Sequence, residues 1–169
     1  MNRNDLRFIK TERLIEDTYL ALRMKSRGPI KVNTLCAAAL INKTTFYAHY
    51  ETMEALHSHV CIKTVEQLLD RCPNIDDAFL NMNAFVDSLM ATVQENETFL
   101  DTLFGGDKLR QVNVFESCLL KRYLQEDCSP EMEMQIIFAL GGAARLLITN
   151  HNEERVEITT RLIRKIFDR

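Results

Sequence analysis

The chain has 169 residues, 46% hydrophobic and 27% charged, with a formal net charge of −3. That is the balance of an ordinary globular protein, long enough for one sizeable core or for a small head on a larger body. Three prolines, five glycines and no tryptophan give too little turn punctuation for a β-rich fold. No apolar run approaches the roughly 20 residues that cross a bilayer. The opening MNRNDLRFIK lacks the apolar centre of a secretory signal, so the expectation is a cytoplasmic protein with no membrane partner.

In chain order, residues 5–26 place Leu6, Ile9, Leu14, Ile15, Tyr19, Leu22 and Met24 in a pattern dominated by 3–4 spacing, as in Leu6–Ile9, Ile15–Tyr19 and Tyr19–Leu22, which predicts an amphipathic helix. Arg27-Gly28-Pro29 ends it. A short helix follows over about 32–39, then the turn Leu40-Ile41-Asn42, then a second short helix from Lys43 to about Tyr50. Thr52 is a good N-cap for a long helix to about Arg71, stopped by Cys72-Pro73-Asn74. Helices are then predicted over 77–96, 98–104, 108–126, 130–150 and 153–167, with Gly105-Gly106-Asp107 as a loop and Ser129-Pro130 as an N-cap followed by proline at N1. Nothing alternates in the β manner over a useful length and nothing repeats. The predicted fold class is all-α.

Charge is uneven along the chain. Residues 1–63 carry 10 Lys+Arg and 6 Asp+Glu, a net +4, whereas residues 64–169 carry 11 and 18, a net −7. A basic head on an acidic body suits a phosphate-binding module joined to a regulatory domain. The five cysteines at 36, 61, 72, 118 and 128 form no CxxC pair. Cys61 and Cys72, 11 residues apart, would stand about 16 Å apart on one helix, beyond the reach of a disulfide. Small buried thiols in a reducing compartment are expected.

The stretch from Ile30 to Leu56, IKVNTLCAAALINKTTFYAHYETMEAL, has the layout of a helix-turn-helix, whose second helix enters the DNA major groove. Leu35, Ala38 and Ala39 let the first helix pack closely, Ile41 plugs the turn, and Asn42 caps the next helix. That cap aims Lys43, Thr44 and Thr45 outward. Phe46 and Tyr50, four apart, face the core, while Tyr47 lies on another azimuth with a hydroxyl that can reach a phosphate or base edge. His49 and Lys43 are candidates for the phosphate backbone, with Arg3, Arg7, Lys10 and Lys31 as further cations. The DNA-binding residues predicted are Lys31, Asn42, Lys43, Thr44, Thr45, Tyr47 and His49.

This stretch resembles the DNA-binding head of the tetracycline-repressor family. The resemblance rests on Ala39-Leu40-Ile41, then Asn42-Lys43-Thr44-Thr45-Phe46-Tyr47-Ala48-His49-Tyr50, then Thr52-Met53-Glu54-Ala55-Leu56. It is specific over about 50 residues, first helix included, and architectural beyond them. Four positions depart from the family's pattern: Leu40 stands for the turn glycine, Thr44 for the glycine before Thr45, Met53 for a phosphate-neutralising lysine, and Lys31 for a threonine. If the turn needs a positive φ at Leu40, the leucine is strained. The resemblance implies a three-helix N-terminal head over 1–51 and a helical regulatory and dimerisation body over 52–169. It implies a ligand-responsive repressor binding a palindromic operator in double-stranded DNA as a homodimer, in which movement of the body tilts the fourth helix and changes the separation of the heads. The alternative is a helical interaction protein or co-activator of this fold whose altered head has lost or weakened direct DNA reading; Leu40 and Met53 keep that reading open.

In the body, Gly141 and Gly142 interrupt an otherwise good helix, which points to close helix approach. Phe138, Gly141, Gly142, Arg145, Leu146, Leu162, Ile163 and Ile166 are the predicted dimer interface. Large soft residues could line a pocket for a small apolar inducer: Phe79, Met82, Phe85, Phe99, Leu103, Phe115 and Cys118, with plain packing as the alternative for each. His57 and Cys61 share a helix face, but no second cluster completes a metal site, so neither metal nor cofactor is expected. There is no GxSxG, phosphate loop, HExxH or GxGxxG, and no catalytic residue is assigned.

Overall fold

The computed structural model describes residues 6–26, 28–78, 80–124, 128–149 and 153–167. Arg3 and Phe79, both named above, lie outside them. The described residues form nine helices and no strand: α1 (Leu6–Lys25), α2 (Val32–Ala38), α3 (Lys43–His49), α4 (Met53–Asp70), α5 (Met82–Glu95), α6 (Glu97–Phe104), α7 (Lys108–Tyr123), α8 (Pro130–Thr149) and α9 (Glu153–Phe167). The fold is all-α. Among the described residues no helix is long and apolar enough to cross a membrane. The chain divides into two compact units, 1–61 and 62–169, and the division falls inside α4.

In the first unit α1 packs on α2 and α2 on α3. Its core is Ile15, Tyr19, Leu35, Phe46, Tyr50, Leu56, Val60 and Cys61, all buried. At seven residues each, α2 and α3 are too short to persist alone, so this shared core holds them. The turn between them sends the Leu40 backbone to φ 53°, the left-handed region, and the Ile41 amide bonds back to the Cys36 carbonyl at 3.0 Å. The strain expected of a leucine in the turn is therefore present, and its side chain is 92% exposed. Thr52 caps α4 through a 3.0 Å bond from the Ala55 amide to its hydroxyl oxygen.

In the second unit α8 lies against α7 and α9, and α5 meets α6, α8 and α9. Val65, Leu69, Phe85, Val86, Leu100, Leu103, Val112, Phe115, Leu119 and Ile136 fill its core. Arg122 on α7 pairs with Asp70 at 2.8 Å and Asp76 at 3.2 Å, and the Tyr123 hydroxyl donates to the Ile75 carbonyl at 2.6 Å. These bonds fasten the irregular segment after α4. Here the sequence expectation needs correction, for the helix predicted from residue 77 begins at Met82. Asn74 takes φ 61° and its amide nitrogen bonds the Ser88 hydroxyl at 2.9 Å; Leu80 and Asn81 turn back to the Asp77 carbonyl; and the Asn81 side chain caps α5. Two asparagine side chains thus outcompete a continued helix. After α6, Gly105 at φ 65° and Gly106 at φ 80° make the left-handed exit that a side chain would resist.

Candidate nucleic-acid interface

The site is built on α3. The Asn42 side chain accepts the Thr45 amide at 2.7 Å and the Thr45 hydroxyl at 2.9 Å, which fixes the first turn. With that start set, Phe46 and Tyr50 fall inward and are buried, whereas Lys43, Thr44, Tyr47 and Ala48 fall on the solvent face. Tyr47 is 54% exposed, its ring standing edge-on to Phe46 with centroids 5.3 Å apart. The core phenylalanine thereby limits where the tyrosine ring can lie while its hydroxyl end stays accessible.

Beyond packing on α2 and the apolar core, two contacts of α3 and its C-cap Tyr50 reach α1. The Tyr50 hydroxyl donates to Glu16 Oε1 on α1 at 2.9 Å, and His59 Nε2 on α4 lies 2.9 Å from the same oxygen. Glu16 is buried, so these partners offset the desolvation of its carboxyl group. Burial, then the bond to Glu16, pushes the Tyr50 hydroxyl well above its ordinary pKa, and it stays a donor at every ordinary pH. The second contact is a stack of the His49 ring on Phe8 of α1, centroids 3.9 Å apart and planes 29° from parallel. Burial lowers the His49 pKa, with Glu12 partly opposing the shift. His49 Nδ1 is buried without a hydrogen-bond partner.

The seven residues expected to read DNA are therefore placed differently. Lys31, Asn42, Lys43, Thr44 and Tyr47 are exposed. Thr45 is half-buried with its hydroxyl given to Asn42, and His49 is turned toward α1. Arg7 and Lys10 are exposed on α1. Sequence reasoning missed the polar cluster of Glu16, Tyr50 and His59. One signal was available, because Glu16 lies seven residues after Ile9 and three before Tyr19, on the face the apolar residues mark as buried. His57 and Cys61 do meet, Sγ to ring nitrogen at 3.7 Å, but the ring also bonds the Tyr19 hydroxyl at 2.8 Å. Among the described residues no group of three potential ligands could hold a metal ion.

In the second unit Met82 and Phe85 line an enclosed apolar cavity of about 30 Å³ with Leu89, Met90, Leu119 and Ile163. That is space on the scale of a water molecule, far below the 300 Å³ or more of an organic ligand site. Leu103, Phe115 and Cys118 are buried and Phe99 is half-buried, and none of the four lines the cavity. Burial pushes the Cys118 thiol up to about 11, with Glu66 adding to the shift and Lys121 opposing it, so it remains protonated. A larger open groove of about 1010 Å³ between α5 and α9 has mixed walls, with Met90, Ala91 and Val156 beside Asp87, Gln94, Arg161 and Arg164. Of the predicted dimer residues, Phe138, Gly142, Arg145, Leu146 and Leu162 are exposed, Gly141 and Ile166 are half-buried, and Ile163 is buried.

Compared with protein-family models, with curated proteins and with solved structures, the chain matches none.

Proposed function

We propose that the chain is a DNA-binding transcriptional regulator of the tetracycline-repressor type, acting as a homodimer whose two α3 helices enter successive major grooves of a palindromic site. The observation that carries this reading is the solvent face of α3. Lys43, Thr44 and Tyr47 project from a helix whose opposite side is anchored in the unit's core by Phe46 and Tyr50. Lys43 supplies phosphate attraction, and Thr44 and Tyr47 supply hydroxyls that can bond base edges or phosphates. The net +4 of residues 1–63 supports the same reading. Two such heads would read half-sites about 34–36 Å apart, one turn of the duplex. Repression is the outcome proposed, by occlusion of the bound site. The enclosed cavity of about 30 Å³ is too small for an apolar inducer as it stands.

A second reading is an interaction protein with the same head. It draws on Leu40, an apolar side chain 92% exposed in the turn before α3, which a protein partner could cover.

Selection of duplexes from a random pool, followed by titration at several salt concentrations, separates the two. The regulator reading expects an inverted repeat to emerge and log affinity to fall linearly with log salt. Failure to enrich any sequence would overturn it.

A further inference from the structure

The two ends of α3 are held in different ways. At the start, Asn42 bonds Thr45 within the helix itself, and the Ile41 amide returns to the Cys36 carbonyl. At the end, the hydroxyl of the C-cap Tyr50 reaches another helix and donates to Glu16 Oε1 at 2.9 Å. The apolar anchor Phe46 is fully buried, but burial of an apolar ring has no direction and tolerates rotation of the helix about its axis. The bond to Glu16 has direction, because a hydrogen bond weakens steeply as it bends. His59 of α4 meets the same oxygen at 2.9 Å, so one atom fixes the end of α3 against both α1 and α4.

Stability does not call for this arrangement. Taking a carboxyl group out of water offsets much of what its partners contribute, and well-packed apolar side chains of similar volume are often at least as stable. A satisfied polar network contributes instead a single rigid arrangement of the elements it joins. Tyr47 stands three residues before Tyr50 on a seven-residue helix, so the rotation of that helix sets where its hydroxyl points. Bonds to base edges need that direction, whereas the attraction of Lys43 to phosphate survives a small rotation.

We propose that Glu16 is a positioning residue for α3: buried and out of reach of DNA, it sets through Tyr50 the rotation at which Thr44 and Tyr47 meet base edges. Its removal costs sequence discrimination rather than attraction to the duplex. This rests on the regulator reading above and adds the residue that aims the reading helix.

The test compares affinity for a selected duplex with affinity for a scrambled one, at fixed salt and well below the unfolding midpoint. Glu16→Met combined with Tyr50→Phe replaces both partners by apolar side chains of similar shape. The double variant should unfold at or above the wild-type midpoint and keep its affinity for scrambled duplex. Its discrimination should fall about tenfold or more, the weight of one good contact to a base edge. Glu16→Gln retains an oxygen that can accept both bonds and should keep the wild-type ratio. A glutamine variant as indiscriminate as the double variant would assign the effect to charge and overturn the positioning role. A folded double variant that discriminates like wild type would overturn that role and leave the regulator reading standing. A wild-type chain that prefers no duplex would overturn the regulator reading and this proposal with it. Should the double variant fail to fold, Tyr50→Phe alone decides: a lower ratio supports the role of Glu16 and an unchanged ratio overturns it.

Discussion

The Tyr50 hydroxyl gives its hydrogen to Glu16 across 34 residues of sequence, at 2.9 Å, and so ties the end of α3 to the middle of α1. Tyr50→Phe keeps the ring and leaves the buried Glu16 carboxyl group one donor short. A lost hydrogen bond to a charged or buried acceptor costs about 1–3 kcal/mol. The expected outcome is a loss of about that size in denaturant unfolding with helicity retained. An unchanged midpoint would mean that the bond adds nothing to stability.

Leu40→Gly should raise stability. The leucine backbone sits at φ 53° and its side chain has almost no packing to lose. Relief of left-handed strain is worth about 1–2 kcal/mol, and the greater freedom of glycine in the unfolded chain takes back about 0.5–1 kcal/mol. The net gain of about 0.5–1 kcal/mol corresponds to a Tm higher by about 1–4 °C for a chain of this size. Leu40→Ala retains the strain and should show no such gain. A lower Tm for the glycine variant would count against strain at this turn.

His49 gives the first unit a dependence on pH. Burial lowers its pKa below the ordinary 6.5. Between the folded value and 6.5 the unfolded chain binds more protons, so stability is full above that window and is lost as pH falls through it. His49→Phe preserves a ring for the stack on Phe8 and removes the titration. Unfolding measured at pH 7.5 and pH 5.5 should show a smaller acid loss in the variant than in wild type. Equal losses would remove His49 from the account.

Tyr47→Ala separates binding from folding. The side chain is exposed and its backbone lies in a helix that alanine favours, so the Tm should change little. Affinity for a selected duplex should fall about tenfold to a hundredfold, the weight of one good contact to a base edge. Mobility-shift titration checks this, and undiminished affinity would take Tyr47 out of the interface.

Much of this architecture is legible in the residues because it is local. Asn42, Thr52 and the Ser129-Pro130 pair announce helix starts through bonds that close within three residues, and each helix begins where they place it. Asp76 and Asp77 look like another start, yet α5 waits for Asn81. The reason is that Asn74 reaches Ser88, 14 residues on, and local patterns do not register such a bond. The convergence of Glu16, Tyr50 and His59 escapes for the same reason, since three helices must be assembled before one oxygen can meet two partners. Apolar residues at helical spacing give no clue to whether they fill space or enclose it. Of the six pocket candidates among the described residues, only Met82 and Phe85 line the cavity.

The brevity of α2 and α3 has a consequence for dynamics. Seven residues make barely two turns, and neither helix has enough internal bonding to survive release from the core around Phe46 and Leu35. Their backbone amides should therefore exchange with solvent only when the whole unit opens, at rates close to those of the buried turns of α1. A substitution hidden beneath α3 would then change how long the exposed face of that helix persists, without altering any residue of that face.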